Sequence, residues 1–245
     1  MYLSRLILNP RSRSVQRDLA DCHELHRSVM RGFPDVLATG DARARLGVLY
    51  RIDAASRRQR LNLLVQSEEK PDWSRLPADY LLETGGHPEN PACKSVDAAF
   101  ARIELGRQFV FRLRANPTKR ISATGAARAG NPDAAGKRVE LRYEKDQLEW
   151  LARKGEQGGF QVLSVQANPD VPNARVQPME RVLGHRERGG DERRRRMTFG
   201  SALFEGVLRV TDVERFRATL ESGIGSGKAY GFGLLSIAAP RALEE

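Results

Sequence analysis

The order in which strand-like and helix-like segments follow one another is the feature that most restricts the fold of this chain. Short stretches rich in apolar residues, which alternate with polar ones at residues 108–115, predict strands, and apolar residues on one helical face predict helices. In the first half, the predicted elements are strand 2–8, helix 18–30, strands 45–52 and 60–66, a weak helical segment at 73–82 and strand 108–115. This order is βαββαβ.

The second half repeats that order after a break. Asn116 and Pro117 end the preceding strand, and residues 122–136 are rich in Ala, Gly and Asp, which is typical of a linker. The predicted elements that follow are helix 143–154, strand 160–167, a strand or strand pair at 197–210, helix 213–220 and strand 233–238. The pattern predicts an α+β fold of two ferredoxin-like (RRM-like) domains, at residues 1–117 and 118–245, each an antiparallel sheet with two helices on one face.

Charge restricts the partners of the chain. Its 245 residues contain 41 Lys and Arg against 31 Asp and Glu, a formal net charge of +10. This balance favours a polyanion, and nucleic acid fits best because no apolar run reaches the roughly 18 residues of a membrane span. The apolar start is too short for a signal peptide and is interrupted by Arg5. Cys22 and Cys93 lack the spacing of metal ligands. We therefore expect a cytoplasmic protein with no membrane partner, no required metal and no small-molecule cofactor.

A glycine-rich run, GIGSGKAYGFG, occupies residues 223–233. Its backbone could approach a phosphate closely, although a run of this kind is equally typical of a helix stop and turn. A Walker A loop would need Gly at Ser222 and Ser or Thr at Ala229, followed by a helix rather than the predicted strand. A nucleotide-using enzyme is therefore disfavoured.

An arginine run lies at residues 186–196, with six Arg and three acidic residues around Gly189 and Gly190. It predicts a hairpin tip that could contact the phosphates of a duplex. The competing interpretation, a solvated charged loop, is the commoner one for such a run in an arbitrary protein.

Two histidines, His23 and His26, fall on adjoining turns of the first predicted helix, and Arg31 follows just beyond its end. Cleavage of RNA without a metal needs a base for the 2′-OH, an acid for the departing 5′ oxygen and a cation for the phosphorane. Histidine can serve in either proton role. From spacing alone, however, two histidines without a function are the commoner outcome.

The chain resembles the CasE-type CRISPR-associated endoribonucleases, the repeat-processing subunit of the Cascade complex, over nearly its whole length. The resemblance rests on MYLSRLIL at 1–8, residues 18–33 with HELHR, FRLRANPTK at 111–119, LFEGVL at 203–208 and GIGSGKAYGFGLLS at 223–236. It implies two ferredoxin-like domains that bind a CRISPR repeat RNA hairpin and cut it at the 3′ base without a metal. It also implies 5′-hydroxyl and 2′,3′-cyclic or 3′-phosphate products, and retention of the product within Cascade.

The resemblance also assigns roles to residues. The family's catalytic histidine corresponds to His26. The family commonly has tyrosine at the position of His23, and many relatives have lysine at the position of Arg31, where arginine keeps the charge but cannot act as a base. The residues predicted to bind RNA are Arg27, Arg112, Arg114, Lys119, Arg120, Arg193, Arg194, Arg195, Arg196, Gly223, Gly225, Ser226, Gly227 and Lys228. The alternative is a scaffold subunit that binds RNA without cutting it.

Overall fold

A computed structural model describes residues 1–34, 42–55, 60–128, 130–188 and 191–240. Within these ranges the side chains of residues 54, 55, 126–128, 132, 186–188 and 191–195 are outside the description. Two large antiparallel sheets organise this part of the chain, and each has a hydrophobic core of its own.

The first unit begins at the N-terminus. It contains, in order, β1 (Tyr2–Leu8), α1 (Arg13–Ala20), α2 (Cys22–Met30), α3 (Ala42–Arg45), β2 (Leu49–Ala55), β3 (Arg60–Ser67) and β4 (Ala92–Ser95). Its strands are ordered β2-β3-β1-β4, which is the order of a ferredoxin-like sheet. Leu6 and Leu8 of β1 pack against Leu25 and Val29 of α2 in the first core. Burial of each such side chain contributes about 1.5–3 kcal/mol to folding.

Two helices replace the single helix predicted at residues 18–30. They meet at Asp21, whose φ of −136° and ψ of 111° are those of extended backbone. The Asp21 carboxylate accepts a hydrogen bond from the backbone N–H of His23 at 2.9 Å. Because an aspartate in this conformation caps the following helix, α2 has a start of its own.

The connection between β3 and β4 is irregular. The helix predicted at residues 73–82 is wrong, since only a 3₁₀ turn at Trp73–Arg75 forms there. Trp73, Leu76 and Tyr80 nevertheless pack into the first core. The apolar residues of this segment are therefore buried without forming a helix.

The second unit follows α4 (Asp97–Ala101). It contains β5 (Gln108–Ala115), β6 (Thr118–Arg120), α5 (Ala123–Arg128), β7 (Arg138–Glu140), α6 (Glu144–Gln157), β8 (Phe160–Val162), β9 (Ser164–Val165), β10 (Asn168–Pro172), β11 (Ala174–Arg188), β12 (Asp191–Val210), α7 (Val213–Ser222) and β13 (Leu235–Ala238). Its main strands are ordered β11-β12-β5-β13, again the ferredoxin-like order. The predicted α+β fold of two ferredoxin-like units is confirmed.

Strand β5 was expected to end the first domain, but it pairs with β12 on one side and β13 on the other. Phe109, Phe111 and Leu113 of β5 pack in the second core with Trp150 and Phe204. A boundary at residue 117 would separate this strand from its sheet. We therefore propose that the units divide between β4 and β5.

The segment predicted as the interdomain linker, residues 122–136, lies within the second unit. It contains α5 and a 3₁₀ turn at Pro132–Ala134, and it connects β6 to β7, which pair antiparallel. Within the described ranges, no helix combines the length and the apolar character needed to cross a bilayer.

A buried arginine joins the two units. Arg51 of β2 is 2 % exposed and forms two hydrogen bonds with the carboxylate of Asp53, at 2.8 and 2.9 Å. Its Nη1 also donates to the backbone carbonyls of Arg112 on β5 and Leu234 before β13, both at 3.1 Å. The Gln66 amide adds a second link by donating to the carbonyl of Leu220 at 2.7 Å. The sheets are thus held together by hydrogen bonds that water cannot easily replace.

Replacing this arginine should weaken the whole fold. We expect Arg51→Ala to lower the free energy of unfolding by about 3–5 kcal/mol, because it leaves the Asp53 charge and two carbonyls without their donor. Arg51→Lys should lower the free energy of unfolding by less, because an ammonium keeps the charge but not the planar fork. Urea unfolding measures both. The exposed Arg209 of β12 is the control: Arg209→Ala should change stability by less than about 0.5 kcal/mol, and a similar loss in both alanine variants would contradict the prediction.

Candidate active site and nucleic-acid interface

Helix α2 positions both candidate catalytic histidines. Leu25 and Val29, at 6 % and 1 % exposure, fix one side of the helix in the first core. His23 and His26 are half-buried, three residues apart. The helix is therefore held both by its cap and by its packing.

The glycine-rich run of the second unit lies directly against α2. The ring centroid of Tyr230 is 6.3 Å from that of His26, in an edge-to-face arrangement. The Tyr50 hydroxyl donates to the backbone carbonyl of Ala229 at 2.7 Å, which fixes the same turn to β2. The structure thus brings together two of the three motifs that the sequence singled out, at the junction between the units.

Burial, with smaller contributions from the nearby His23 and Arg43, lowers the pKa of His26 to about 4. At neutral pH the His26 imidazole is therefore uncharged and can accept a proton. The Nδ1 atoms of His23 and His26 are both buried, and neither has a hydrogen-bond partner among the described residues.

Arg31 and Arg43 are the arginines that we consider as sources of positive charge beside His23 and His26. Arg31 caps the end of α2 through its backbone N–H, and its side chain is exposed. Arg43 of α3 acts electrostatically on both His26 and Lys228. Sequence reasoning missed Arg43, because its position depends on how the chain returns from α2 to β2.

Several predicted RNA-binding arginines have partners within the protein. Arg27 is exposed and pairs with Glu24 at 3.2 Å. The Arg112 Nε donates to the Glu205 carboxylate at 2.6 Å. The Arg114 Nε donates to the Ser201 hydroxyl at 2.9 Å, and burial lowers the pKa of its guanidinium. Arg112 and Arg114 therefore stabilise the second sheet, and their contacts with RNA stay predictions.

A basic cleft of about 380 Å³ opens beside the glycine-rich run. Its cationic lining consists of Arg120, Arg138, Lys154 and Lys228. Ion pairs in the described part of the chain involve none of these four side chains. Burial lowers the pKa of Lys228, and the nearby charges of Arg43 and Lys154 lower it further. The cleft therefore concentrates positive charge that carboxylates do not neutralise.

The predicted interface residues divide around this cleft. Gly223, Gly225, Ser226, Lys228 and Arg120 line it, whereas Lys119 and Gly227 do not. Arg138 and Lys154 line it as well, and sequence reasoning missed both because β7 and α6 reach the cleft only through tertiary packing.

Glycine is required where the run approaches other groups. Gly223 ends α7 with φ of 76°, and a Cβ there would lie 2.8 Å from the Leu49 side chain. Gly225 has φ of 84°, and its Cβ would lie 3.1 Å from Trp150. Both conformations are rare for residues with a side chain. The run is therefore a helix stop and also a wall of the cleft, so the two interpretations of its sequence are compatible.

The arginine run belongs to the β11–β12 hairpin. The backbone is a strand up to Arg188 and again from Asp191, and the register pairs His185 with Arg196. Arg196 is exposed. The side chains of Arg193, Arg194 and Arg195 lie outside the described residues, so their roles stay predictions.

Metal ligands were not expected from the sequence. Among the described residues, no three His, Cys, Asp or Glu side chains are grouped as ligands of one ion.

The structural class is that of two ferredoxin-like units, with histidines at their junction and a cation-lined cleft in the second unit. Within it, the chain belongs to the CRISPR-associated protein family, whose model matches residues 1–239.

Named relatives cover nearly the whole chain. It is 37 % identical to the CRISPR-associated endoribonuclease Cse3 of Thermus thermophilus, over 97 % of this chain and 100 % of that protein. It is 26 % identical to the Cascade subunit CasE of Escherichia coli, over 97 % and 99 %. The structure of Thermus thermophilus Cse3 bound to an RNA representing a pre-cleavage complex superposes with a TM-score of 0.72 at 35 % identity, covering 97 % of this chain and 98 % of that one.

The pKa of His26 predicts how stability depends on pH. A histidine with a lowered pKa in the folded state takes up a proton more readily when unfolded, so acid favours unfolding. The loss should begin near the ordinary pKa of about 6.5 and level off below about 4. Between about pH 7.5 and 4, the free energy of unfolding of the wild type should fall by about 3 kcal/mol more than that of His26→Gln, because glutamine cannot titrate. Urea unfolding at a series of pH values tests this, and parallel curves for the two proteins would contradict it.

Proposed function

We propose that this protein is an endoribonuclease that binds the repeat hairpin of a precursor CRISPR RNA and cuts it at the 3′ base without a metal. The observation that carries the proposal is the uncharged His26, held by α2 against the glycine-rich run beside a cleft of unneutralised cations. The similarity to Cse3, named an endoribonuclease, extends over the whole of that relative.

His26 is suited to remove the proton from the 2′-OH, because its low pKa keeps it unprotonated at neutral pH. The 2′ oxygen then attacks phosphorus and the bond from phosphorus to the 5′ oxygen breaks. The departing oxygen takes a proton and becomes a 5′-hydroxyl, while the other fragment keeps a 2′,3′-cyclic phosphate. His23 lies one helical turn before His26 and is our candidate for the acid.

Charge on the phosphorane needs a nearby cation. We propose Arg31 for this role, and add Arg43 because its charge acts on His26 in the folded protein. Arginine stays protonated at any physiological pH, so neither can exchange a proton with the substrate.

The cleft is proposed to bind the RNA backbone. The Lys228 side of the cleft lies nearest to the histidines, because the charge of Arg43 acts on both Lys228 and His26. Backbone groups of the glycine-rich run can approach a phosphate closely where no side chain intervenes. The Arg193–Arg196 part of the hairpin is proposed to contact the stem, whose deep, narrow major groove favours recognition through phosphates and shape.

Other proteins are proposed partners. The Escherichia coli relative is named a Cascade subunit, and we propose that this chain likewise remains bound to its guide RNA beside other Cascade subunits. A cytoplasmic location follows from that substrate, and it agrees with Cys22 and Cys93 both being free.

One observation favours a second candidate, a scaffold subunit that binds RNA but does not cut it. Catalytic histidines are commonly oriented by a hydrogen bond to the second ring nitrogen. Among the described residues, neither Nδ1 atom has such a partner. A 2′-deoxy nucleotide at the scissile position separates the two functions. An endoribonuclease that uses the 2′-OH cuts the unmodified RNA but not the 2′-deoxy RNA, whereas a scaffold binds both and cuts neither.

Removing the proposed base should stop the reaction. We expect His26→Ala to reduce cleavage of the cognate repeat hairpin at least about 100-fold in EDTA, the usual size of a lost general base. The dissociation constant should change less than about threefold. Gel-based cleavage and filter binding on one substrate measure both quantities.

His87 supplies the matched control, because it is an exposed histidine of the first unit. His87→Ala should cleave like the wild type. Normal cleavage by His26→Ala would exclude the proposed mechanism, and a wild type that is inactive in EDTA but active with a divalent cation would exclude its metal independence.

The cleft makes a prediction about salt. Lys154→Ala and Arg138→Ala should each weaken RNA binding and reduce the slope of log K against log salt by about 0.7–0.9, the value for one lost phosphate contact. Lys145 lies on α6 with Lys154 but does not line the cleft. Lys145→Ala should keep the wild-type slope. Equal slopes for all three variants would show that the cleft does not bind the backbone.

A further inference from the structure

The β11–β12 hairpin contacts the helix that carries the histidines. Gly184 and His185 of β11, from the second unit, lie against Asp21 and Cys22 at the start of α2. The arginine run begins at the residue after His185. One short segment of β11 is therefore next to both the candidate stem-binding arginines and the catalytic helix.

A single carboxylate holds the two elements together. Asp21 accepts the backbone N–H of His23 at 2.9 Å, which caps α2. It also accepts the backbone N–H of His185, at 3.1 Å to Oδ2 and 3.3 Å to Oδ1. The Nδ1 of the His185 ring lies 3.0 Å from Oδ2. The helix cap and the hairpin thus share one anchor.

Asp21 is held in its charged form. Burial raises the pKa of its carboxyl, but hydrogen bonds from the ring of His185 and from the backbones of His23 and His185 together keep the pKa below its usual value. A charged acceptor strengthens each of these bonds.

Packing confirms how closely the hairpin approaches. A Cβ at Gly184 would lie 2.5 Å from the sulfur of Cys22 and 3.5 Å from the backbone nitrogen of His23. Cys22 is 4 % exposed, so its sulfur has little room to move. A residue larger than glycine would push β11 away from the helix.

We propose that Asp21 and His185 are positioning residues for RNA cleavage: they hold the histidines of α2 in fixed register with RNA bound along the hairpin. This rests on the proposed function. His26 lies five residues beyond Asp21, about 7.5 Å along the helix axis. A change at the cap is therefore transmitted to His26, and a displacement of about 1 Å at a reacting group can cost about 100-fold in rate.

The test is single-turnover cleavage of the repeat hairpin, with its dissociation constant measured in parallel. Asp21→Asn retains a capping oxygen, since asparagine is a good N-cap residue, but loses the charge and an acceptor. His185→Ala removes the ring contact and leaves the backbone one. We expect each to lower the cleavage rate about tenfold, with less than about a twofold change in the dissociation constant.

The two residues should act through one contact. The double variant should therefore be no slower than the slower single variant, because the second change removes nothing further. His185→Asn, which places an amide nitrogen near the position of Nδ1, should recover much of the rate lost in His185→Ala. A merely structural role would not give this recovery.

Asp212 provides the matched control. It caps α7 by accepting the backbone N–H of Arg215 at 3.0 Å. Asp212→Asn should leave the cleavage rate unchanged, although both caps contribute to stability. Unfolding curves for every variant show whether a slower rate follows from loss of fold, and the exposed His185 keeps the test valid if Asp21→Asn unfolds.

A second pair of variants tests the packing. Gly184→Ala should slow cleavage, because its methyl group needs the space of the Cys22 sulfur. Adding Cys22→Ala frees that space and should restore the rate, whereas Cys22→Ala alone should have little effect.

The outcomes separate the two proposals. A wild type that does not cut removes the proposed function and the positioning role with it. If the wild type cuts but Asp21→Asn and His185→Ala cut equally fast, or lose only affinity, the positioning role alone is excluded.

Discussion

The guanidinium of Arg51 is the contact on which the arrangement of the site depends, because it joins a strand of the first sheet to two segments of the second. The histidines belong to the first unit, whereas the glycine-rich run, the cleft and the hairpin belong to the second. Neither unit contains a complete site. An arginine holds them together better than a lysine would, since its planar fork satisfies Asp53 and two carbonyls at once.

The junction also sets the chemistry of His26. A histidine on an isolated helix would be solvated and would titrate near pH 6.5. Packing of the Lys228–Tyr230 turn against α2 removes solvent, and the charge of Arg43 adds to the effect. The same closeness brings Arg43 near Lys228, which lines the cleft with Lys154, at a cost in mutual repulsion that a bound polyanion would relieve. The proposed substrate binding and the proposed proton transfer thus depend on the same packing of two sheets.

Local sequence patterns were sufficient to predict most helices and strands, but they did not predict how these elements assemble. A short apolar stretch identified Tyr2–Leu8 as a strand, and apolar alternation identified Gln108–Ala115. The pairing of the latter with β12 and β13 is a long-range choice that alternation does not encode. The break at Asp21 was missed because apolar spacing continues across it. Spacing alone also left His26 an ordinary histidine. Its burial against Tyr230, like the arrival of Arg138 and Lys154 at the cleft, results from tertiary packing.

The contact between Gly184 and Cys22 restricts the sequence of the hairpin at the point where it meets α2. On the α2 side of the pair His185 and Arg196, β11 must keep Gly184 and the register that brings this strand to α2. The part of the hairpin between His185 and Arg196 is the one that we propose to contact the RNA stem, so exchanging it should change which stem is bound while the contact of Gly184 with α2 is kept.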